Sequence, residues 1–112
     1  MQDGFEIEIL NDKVAQELEN LPTKIKASMY HIFDLLEKYG NEVREPHTKA
    51  LGGELYEARA KGLEGIARAF FTYQGKRVIV ILHCFIKKSQ KTPKNELEKA
   101  RKILKELQGG TQ

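Results

Sequence analysis

The chain has 112 residues, of which 40% are hydrophobic and 31% are charged, and this composition is typical of one folded domain. We therefore treat residues 1–112 as a single domain. No stretch approaches the roughly 20 apolar residues that span a bilayer, and the first residues are acidic where a secretory signal is basic and then apolar. A cytoplasmic protein without membrane contact is expected. Cys84 is the only cysteine, which excludes an internal disulfide and a thiolate metal cluster.

The charge of the chain changes sign along the sequence. Residues 1–57 contain 6 Lys/Arg and 12 Asp/Glu, whereas residues 58–112 contain 13 Lys/Arg and 4 Asp/Glu. A basic half on a small protein attracts polyanions, and nucleic acid is the most abundant candidate. The alternative is that the two halves of the sequence do not form two faces of the fold.

One strand and two helices are predicted in the first half of the chain. Residues 5–9 alternate apolar and acidic side chains, which indicates a strand with one buried face. Asn11 and Asp12 favour the start of a short helix that extends to about residue 20. A longer helix is predicted over residues 22–39, with Gly40 as its end. Its apolar stripe consists of Ile25, Met29, Ile32, Phe33 and Leu36, and we expect it to pack on the sheet. A loop follows.

The second half predicts three strands, over residues 54–60, 65–73 and 77–86, and then a helix after a Thr92-Pro93 start signal. The stripe of that helix consists of Leu97, Ala100, Ile103, Leu104 and Leu107. The order is β-α-α-β-β-β-α. Three consecutive strands favour an antiparallel meander, so we expect an α+β domain with a mainly antiparallel sheet and the helices packed on one face.

The basic residues of the predicted strands are the candidate site. Arg59 lies at the end of one strand, and Arg68 lies in the middle of the next strand among apolar neighbours. A buried arginine is costly unless it is paired or has a task, and the alternative to a functional role is an ion pair with Glu57. Four lysines with no acid follow the third strand, at Lys87, Lys88, Lys91 and Lys94.

Fixed cations of this kind suit the cleavage of RNA. The 2′-hydroxyl of RNA is a nucleophile beside the scissile phosphate, so an enzyme needs to orient it and to stabilise the charge that develops on the phosphate. Arginine can bind two phosphate oxygens at once. The histidines at positions 31, 47 and 83 are too scattered to indicate a metal site, and no glycine-rich phosphate loop is present in the sequence. We therefore expect no metal and no other cofactor.

Three segments resemble the RelE/HigB superfamily of toxins, and its phage-derived Gp49-like branch in particular. They are residues 49–59 (KALGGELYEAR), 65–68 (GIAR) and 82–93 (LHCFIKKSQKTP). The resemblance implies a small microbial-ribonuclease-like α+β fold and cleavage of mRNA on the translating ribosome, which inhibits translation. It also implies a cognate antitoxin, commonly a helix-turn-helix protein from the adjacent gene, and contact with DNA only through the antitoxin complex.

The resemblance assigns roles to individual residues. Arg59 and Arg68 match the arginines that act on the scissile phosphate, and Lys87 and Lys88 match the basic pair at the end of the last strand. Residues expected to attract RNA or the ribosome are Lys49, Lys91, Lys94, Lys99 and Lys102.

Two departures from the family pattern concern packing and the general base. Ala58 stands where relatives usually have leucine, and the last helix ends without the tyrosine that serves as base in some relatives. His83 is the available imidazole, a side chain suited to proton exchange near neutral pH. It is either the general base or a buried histidine that supports the site without taking part in proton transfer.

Two other functions remain open. The chain could be a nucleic-acid-binding relative that has lost cleavage, or an interaction module whose last helix and lysines bind an acidic partner. A toxin is expected to be difficult to express without its neighbouring gene, whereas the other two are not.

Overall fold

The computed structural model describes residues 4–87 and 93–109, and this part of the chain forms a five-stranded sheet with three α-helices. The elements in chain order are β1 (Glu6–Ile9), α1 (Asp12–Glu19), α2 (Thr23–Tyr39), a short 3₁₀-helix (Gly40–Glu42), β2 (Thr48–Gly52), β3 (Leu55–Gly62), β4 (Gly65–Gln74), β5 (Val78–Lys87) and α3 (Lys94–Gly109). Thr92, the predicted cap of the last helix, lies outside the described residues. No helix within the described ranges is long and apolar enough to cross a membrane.

The sheet has the strand order β1-β5-β4-β3-β2. Strands β2 to β5 pair antiparallel with their neighbours, and β1 pairs with β5 in the parallel direction. These pairings confirm the predicted α+β domain with a mainly antiparallel sheet. β4 and β5 lie near the middle of the sheet because they are the most apolar strands, with six consecutive buried residues in each.

Strand β2 occupies part of the region that was predicted as a loop. Only Thr48 of its five residues is buried, so the segment lacks the alternating apolar pattern from which a strand is recognised. It pairs with β3 at the edge of the sheet. An edge strand whose side chains are mostly exposed needs no alternating apolar face of its own.

The predicted arrangement of the helices on one face of the sheet is wrong. The buried residues form two clusters, one beneath α1 and α2 and the other beneath α3. Alternate residues of β4 divide between them, since Phe71 belongs to the first cluster and Phe70 to the second. A sheet whose central strands are apolar on both faces must be covered on both, and α3 covers the second face.

The predicted helix stripes are confirmed on their respective faces. All five apolar residues of the α2 stripe are buried in the first cluster. On α3, Ala100 and Leu104 are buried in the second cluster, and Leu97, Ile103 and Leu107 pack against it half-buried. Asn11 caps α1 as predicted, because its side-chain oxygen accepts the backbone N–H of Val14 at 3.0 Å.

A β-bulge at Leu82 determines which side chains of β5 face α3. Phe70 pairs with His83, whereas the next residue of β4, Phe71, pairs with Ile81. Leu82 is therefore the extra residue, and the faces of the residues that follow are exchanged. As a result, the side chains of His83, Phe85 and Lys87 lie on the α3 face of the sheet.

Candidate functional site

The face of the sheet beneath α3 carries three cross-strand rows of side chains. The rows are Lys49, Glu57, Phe70 and His83; then Arg59, Arg68 and Phe85; then Lys61, Ile66 and Lys87. Residues directly opposite each other in neighbouring strands point to the same face. The second and third rows contain only basic and apolar side chains. The register of the strands thus brings predicted site residues together on one face of the sheet.

Arg59 and Arg68 lie directly opposite each other, and Glu57 joins them. Glu57 Oε1 is 3.0 Å from Arg68 Nη1 and 3.8 Å from Arg59 Nε. The side chains of Glu57 and Arg68 are each only 2% exposed, whereas that of Arg59 is 25% exposed. Two like charges at opposed positions repel each other, and the carboxylate between them offsets that repulsion. The structure thus contains the ion pair that the sequence left as an alternative role for Arg68.

A cavity of about 370 Å³ lies at the end of this basic cluster. Its lining residues are Glu45, Pro46, Arg59, Lys61, Ile66 and Arg68. Arg59 Nη2 is 3.9 Å from Glu45 Oε2 at the exposed side, and Arg59 Nε is buried without a hydrogen-bond partner among the described residues. The guanidinium of Arg59 is therefore only partly engaged by carboxylates, and its side chain, which lines the cavity, is suited to bind an oxyanion.

Lys61 belongs to this cavity and was not identified from the sequence. It lies two residues after Arg59 on the same strand and lines the same space. The period-2 alternation of a strand was the signal that could have identified it. The sequence pattern drew attention instead to the lysine run after β5, where basic residues are most frequent.

The predicted lysines are divided between the cavity end of the sheet and the outer surface. Lys87 ends β5, is half-buried and stands opposite Ile66, which lines the cavity. Lys49 is exposed on β2, opposite Glu57. Lys88 and Lys91 lie outside the described residues. The three remaining lysines project from α3 and are exposed; they are Lys94, Lys99 and Lys102.

His83 is buried and both of its ring nitrogens face carboxylates. Nε2 lies 2.6 Å from Glu96 Oε1 of α3, and Nδ1 lies 3.3 Å from Glu17 Oε1 of α1. The ring stacks against both Phe70 and Phe85, which also contact each other. The imidazole therefore connects β5 to helices on both sides of the sheet, and neither nitrogen faces the cavity lined by Arg59.

Cys84 is buried in the core cluster beneath α1 and α2. Burial, with a smaller effect of the nearby Glu17 carboxylate, raises the pKa of its thiol to about 12. The thiol is therefore neutral at physiological pH and a poor nucleophile or metal ligand. Within residues 4–87 and 93–109, no group of three or more His, Cys, Asp or Glu side chains is placed to hold a metal ion.

The arrangement of the sheet and helices defines a RelE-like fold. This chain is similar to a chain in the crystal structure of the archaeal RelE–RelB complex from Pyrococcus horikoshii OT3, with a TM-score of 0.54 and 24% sequence identity. The similar region covers 77% of this chain and 96% of the archaeal chain. The sequence model of the phage-derived protein Gp49-like family matches residues 16–105. The chain belongs to this family, which is a RelE-like toxin family. No curated protein matches the chain significantly.

The family match extends the similarity beyond the segments that indicated it. The quoted motifs lie on strands β2 to β5 and end before α3, whereas the matched residues also include the second half of α1, all of α2 and most of α3. The resemblance predicted from the motifs is therefore confirmed.

Proposed function

We propose that this protein is the toxin of a type II toxin–antitoxin system and acts as a metal-independent endoribonuclease on mRNA, on the translating ribosome. The observation that carries the proposal is the convergence of Arg59, Lys61 and Arg68 on one cavity of the sheet. Lys87 stands opposite Ile66, which also lines that cavity. Family membership supports the toxin class. The basic, partly buried cavity supports phosphate as the group that is bound.

The two arginines have different exposures, and we assign their tasks accordingly. Arg59 is the more exposed, so its guanidinium binds the non-bridging oxygens of the scissile phosphate from the side of the cavity. Arg68 lines the base of the cavity, where Glu57 fixes its orientation. A fixed cation stabilises developing negative charge without reorganisation during the reaction, which is the largest catalytic contribution expected at such a site.

The proposed reaction is internal transfer of the phosphate within the RNA. The 2′-oxygen forms a bond to phosphorus, the bond from phosphorus to the 5′-oxygen breaks, and the products end in a 2′,3′-cyclic phosphate and a 5′-hydroxyl. The 2′-hydroxyl proton is accepted by the Glu45 carboxylate, which lines the cavity and is exposed. A lysine ammonium donates a proton to the leaving oxygen, either that of Lys61, which lines the cavity, or that of Lys87, which stands opposite the lining residue Ile66.

His83 supports this site rather than exchanging protons with RNA. Its ring nitrogens already face Glu17 and Glu96, so it holds α1 and α3 against β5. Its position in the row beside Phe70 fixes the strand that delivers Lys87. We therefore assign the second of the two roles that the sequence left open for this histidine.

The partners follow from the toxin class. The related archaeal protein was crystallised as a RelE–RelB complex, which supports a cognate antitoxin for this chain; we propose a helix-turn-helix protein encoded by the adjacent gene, with DNA contacted only through that complex. The exposed lysines of α3 attract the ribosome and its RNA over a distance of about a Debye length. Such a target places the action in the cytoplasm.

Tightly regulated expression tests the proposal. Induction of the wild-type chain is expected to arrest growth and to produce cuts in mRNA within translated regions, and co-expression of the adjacent gene is expected to reverse both. Arg59→Ala is expected to abolish both effects. Arg101→Ala is the matched control, because Arg101 donates to the backbone carbonyls of Leu51 and Gly52 and is outside the cavity. Growth arrest without mRNA cuts would favour the interpretation as a non-catalytic binder.

A further inference from the structure

A second basic cavity lies at the opposite end of the sheet from the proposed cleavage site. It measures about 470 Å³ and is lined by Phe5, Lys38, Tyr39, Asn41, Glu42, Lys76 and Arg77. We refer to it as the Tyr39 cavity. Arg77 immediately precedes the first residue of β5, and Lys87 is the last residue of that strand. Ten residues of strand span about 30 Å, so the two cavities are separate sites.

An aromatic contact orients Arg77, one of the residues that line the Tyr39 cavity. The guanidinium carbon of Arg77 lies 5.0 Å from the centre of the Phe5 ring, and Phe5 in turn packs edge-on against Tyr73. Gly40, with a φ of +55°, lets α2 end directly against Phe5, because a Cβ at that position would overlap the Phe5 ring. The contact with the Phe5 ring thus orients the guanidinium of Arg77, although the residue is exposed.

The other side chains that line the Tyr39 cavity are of the kinds that bind single-stranded nucleic acid. Tyr39 is 52% exposed and is the last residue of α2. Lys38 and Lys76, both exposed, line the same space as Arg77, whereas Glu42 is the one acidic residue among the lining residues that the structure describes. An exposed aromatic ring stacks on a base of any identity, and the cations around it bind phosphate.

We propose that the Tyr39 cavity is a second binding site for single-stranded RNA, in which a base stacks on Tyr39 and the adjacent phosphates contact Lys38 and Lys76. The exposed ring favours RNA over an acidic peptide, because a carboxylate gains nothing from an aromatic face, whereas a base does. The volume lies within the range of small-ligand sites and accommodates one nucleotide. This site goes beyond the proposed cleavage and does not depend on it.

Binding of a short fluorescein-labelled 2′-O-methyl RNA to the full chain tests the site. The methylated oligonucleotide lacks the nucleophilic hydroxyl and stays intact whether or not the protein cleaves RNA. Tyr39→Ala is expected to weaken the affinity by at least about fivefold, the weaker end of base–aromatic stacking, and Tyr39→Phe is expected to retain it. Tyr30→Ala is the matched control, since Tyr30 is also exposed on α2 but contacts Phe33.

The lysines are tested by the salt dependence of the same binding. The double variant Lys38→Gln and Lys76→Gln is expected to reduce the slope of log affinity against log salt by about 1.4, because each phosphate contact on a single strand contributes about 0.7. The double variant Lys13→Gln and Lys24→Gln removes the same charge elsewhere and is expected to change the slope much less. Thermal melting confirms that every variant is folded.

Two outcomes would overturn the proposal. Unchanged RNA affinity in the folded Tyr39→Ala protein would exclude the stacking site. Unchanged RNA affinity together with lost binding of labelled poly-glutamate in the lysine double variant would assign the cavity to an acidic protein partner. Arg59→Ala separates this proposal from the cleavage site, because it is expected to abolish cleavage while leaving the effect of Tyr39→Ala on RNA affinity unchanged.

Discussion

Removing Arg68 is expected to affect the stability of the protein as well as its activity. Arg68→Ala leaves the Glu57 carboxylate buried without its closest cation, and breaking a buried ion pair from one side costs about 3–5 kcal/mol. Arg59 Nε remains 3.8 Å from the same carboxylate, so we expect the lower end, about 3 kcal/mol. For a domain of this size, that corresponds to a fall in Tm of roughly 12 °C or more.

A double variant separates the structural role of Arg68 from the catalytic one. Arg68→Met with Glu57→Leu removes both charges and fills the space with apolar side chains, which is often neutral or stabilising at buried pairs. We expect urea denaturation to show most of the lost free energy of unfolding restored in this protein. Cleavage should stay lower by about 100-fold or more, since the donor to the phosphate is absent.

The matched comparison is Arg68→Lys, which keeps the charge. Lysine cannot bind two oxygens in a planar arrangement, so we expect it to retain more stability than Arg68→Ala and to restore only part of the activity. A double variant that is folded and cleaves ribosome-bound mRNA at the wild-type rate would refute the reasoning. Arg68 would then be purely structural.

Three further predictions address other parts of the molecule. Replacement of the exposed α3 lysines Lys94, Lys99 and Lys102 by glutamine should weaken ribosome binding and flatten its salt dependence, and a loss of cleavage at saturating ribosomes would contradict that assignment. Glu45→Gln should slow single-turnover cleavage by about 100-fold, the lower end for a general base, without weakening ribosome binding, and an unchanged rate would exclude it as the base. Because burial raises the pKa of Cys84 from 9.0 to about 12, its contribution to stability is complete below about pH 9 and is lost as the pH rises toward 12. A thiol reagent at mildly alkaline pH should react slowly with the native protein and rapidly in urea; fast native reaction would show that Cys84 is accessible.

Much of the fold was predictable because its local signals are strong. The stripe of α2 and the Asn11 cap each result from the period and chemistry of a few neighbouring residues, and the structure confirms both. The strand predicted over residues 77–86 is also confirmed, and it lies in the interior of the sheet as β5.

The features that were missed depend on contacts between distant segments. Only one side chain of β2 is buried, and the segment forms a strand because it pairs with the edge of β3. The bulge at Leu82 exchanges the faces of β5, and nothing in the residues around it indicates that change. Strands β4 and β5 are apolar on both sides, and this is visible in the sequence. Helices must therefore cover both faces of the sheet, and α3 covers the second one.

The candidate site likewise has features that the sequence predicts and features that only the three-dimensional structure shows. Arg59 and Arg68 were chosen from their positions in the strands, and the register places them directly opposite each other. The contacts of Glu45 and the direction of the His83 nitrogens arise from the three-dimensional arrangement, since Glu45 precedes β2 and the partners of His83 come from two helices.

The chemical identity of the cut ends tests the central claim most directly. Ribosomes programmed with a labelled mRNA are incubated with the wild-type protein or with Arg59→Ala in a single turnover, and the termini of the products are determined. Cleavage through the 2′-hydroxyl predicts a 2′,3′-cyclic phosphate and a 5′-hydroxyl, with the rate lowered about 100-fold or more in the folded Arg59→Ala protein. Products ending in a 3′-hydroxyl and a 5′-phosphate, or an unchanged rate in Arg59→Ala, would contradict the account.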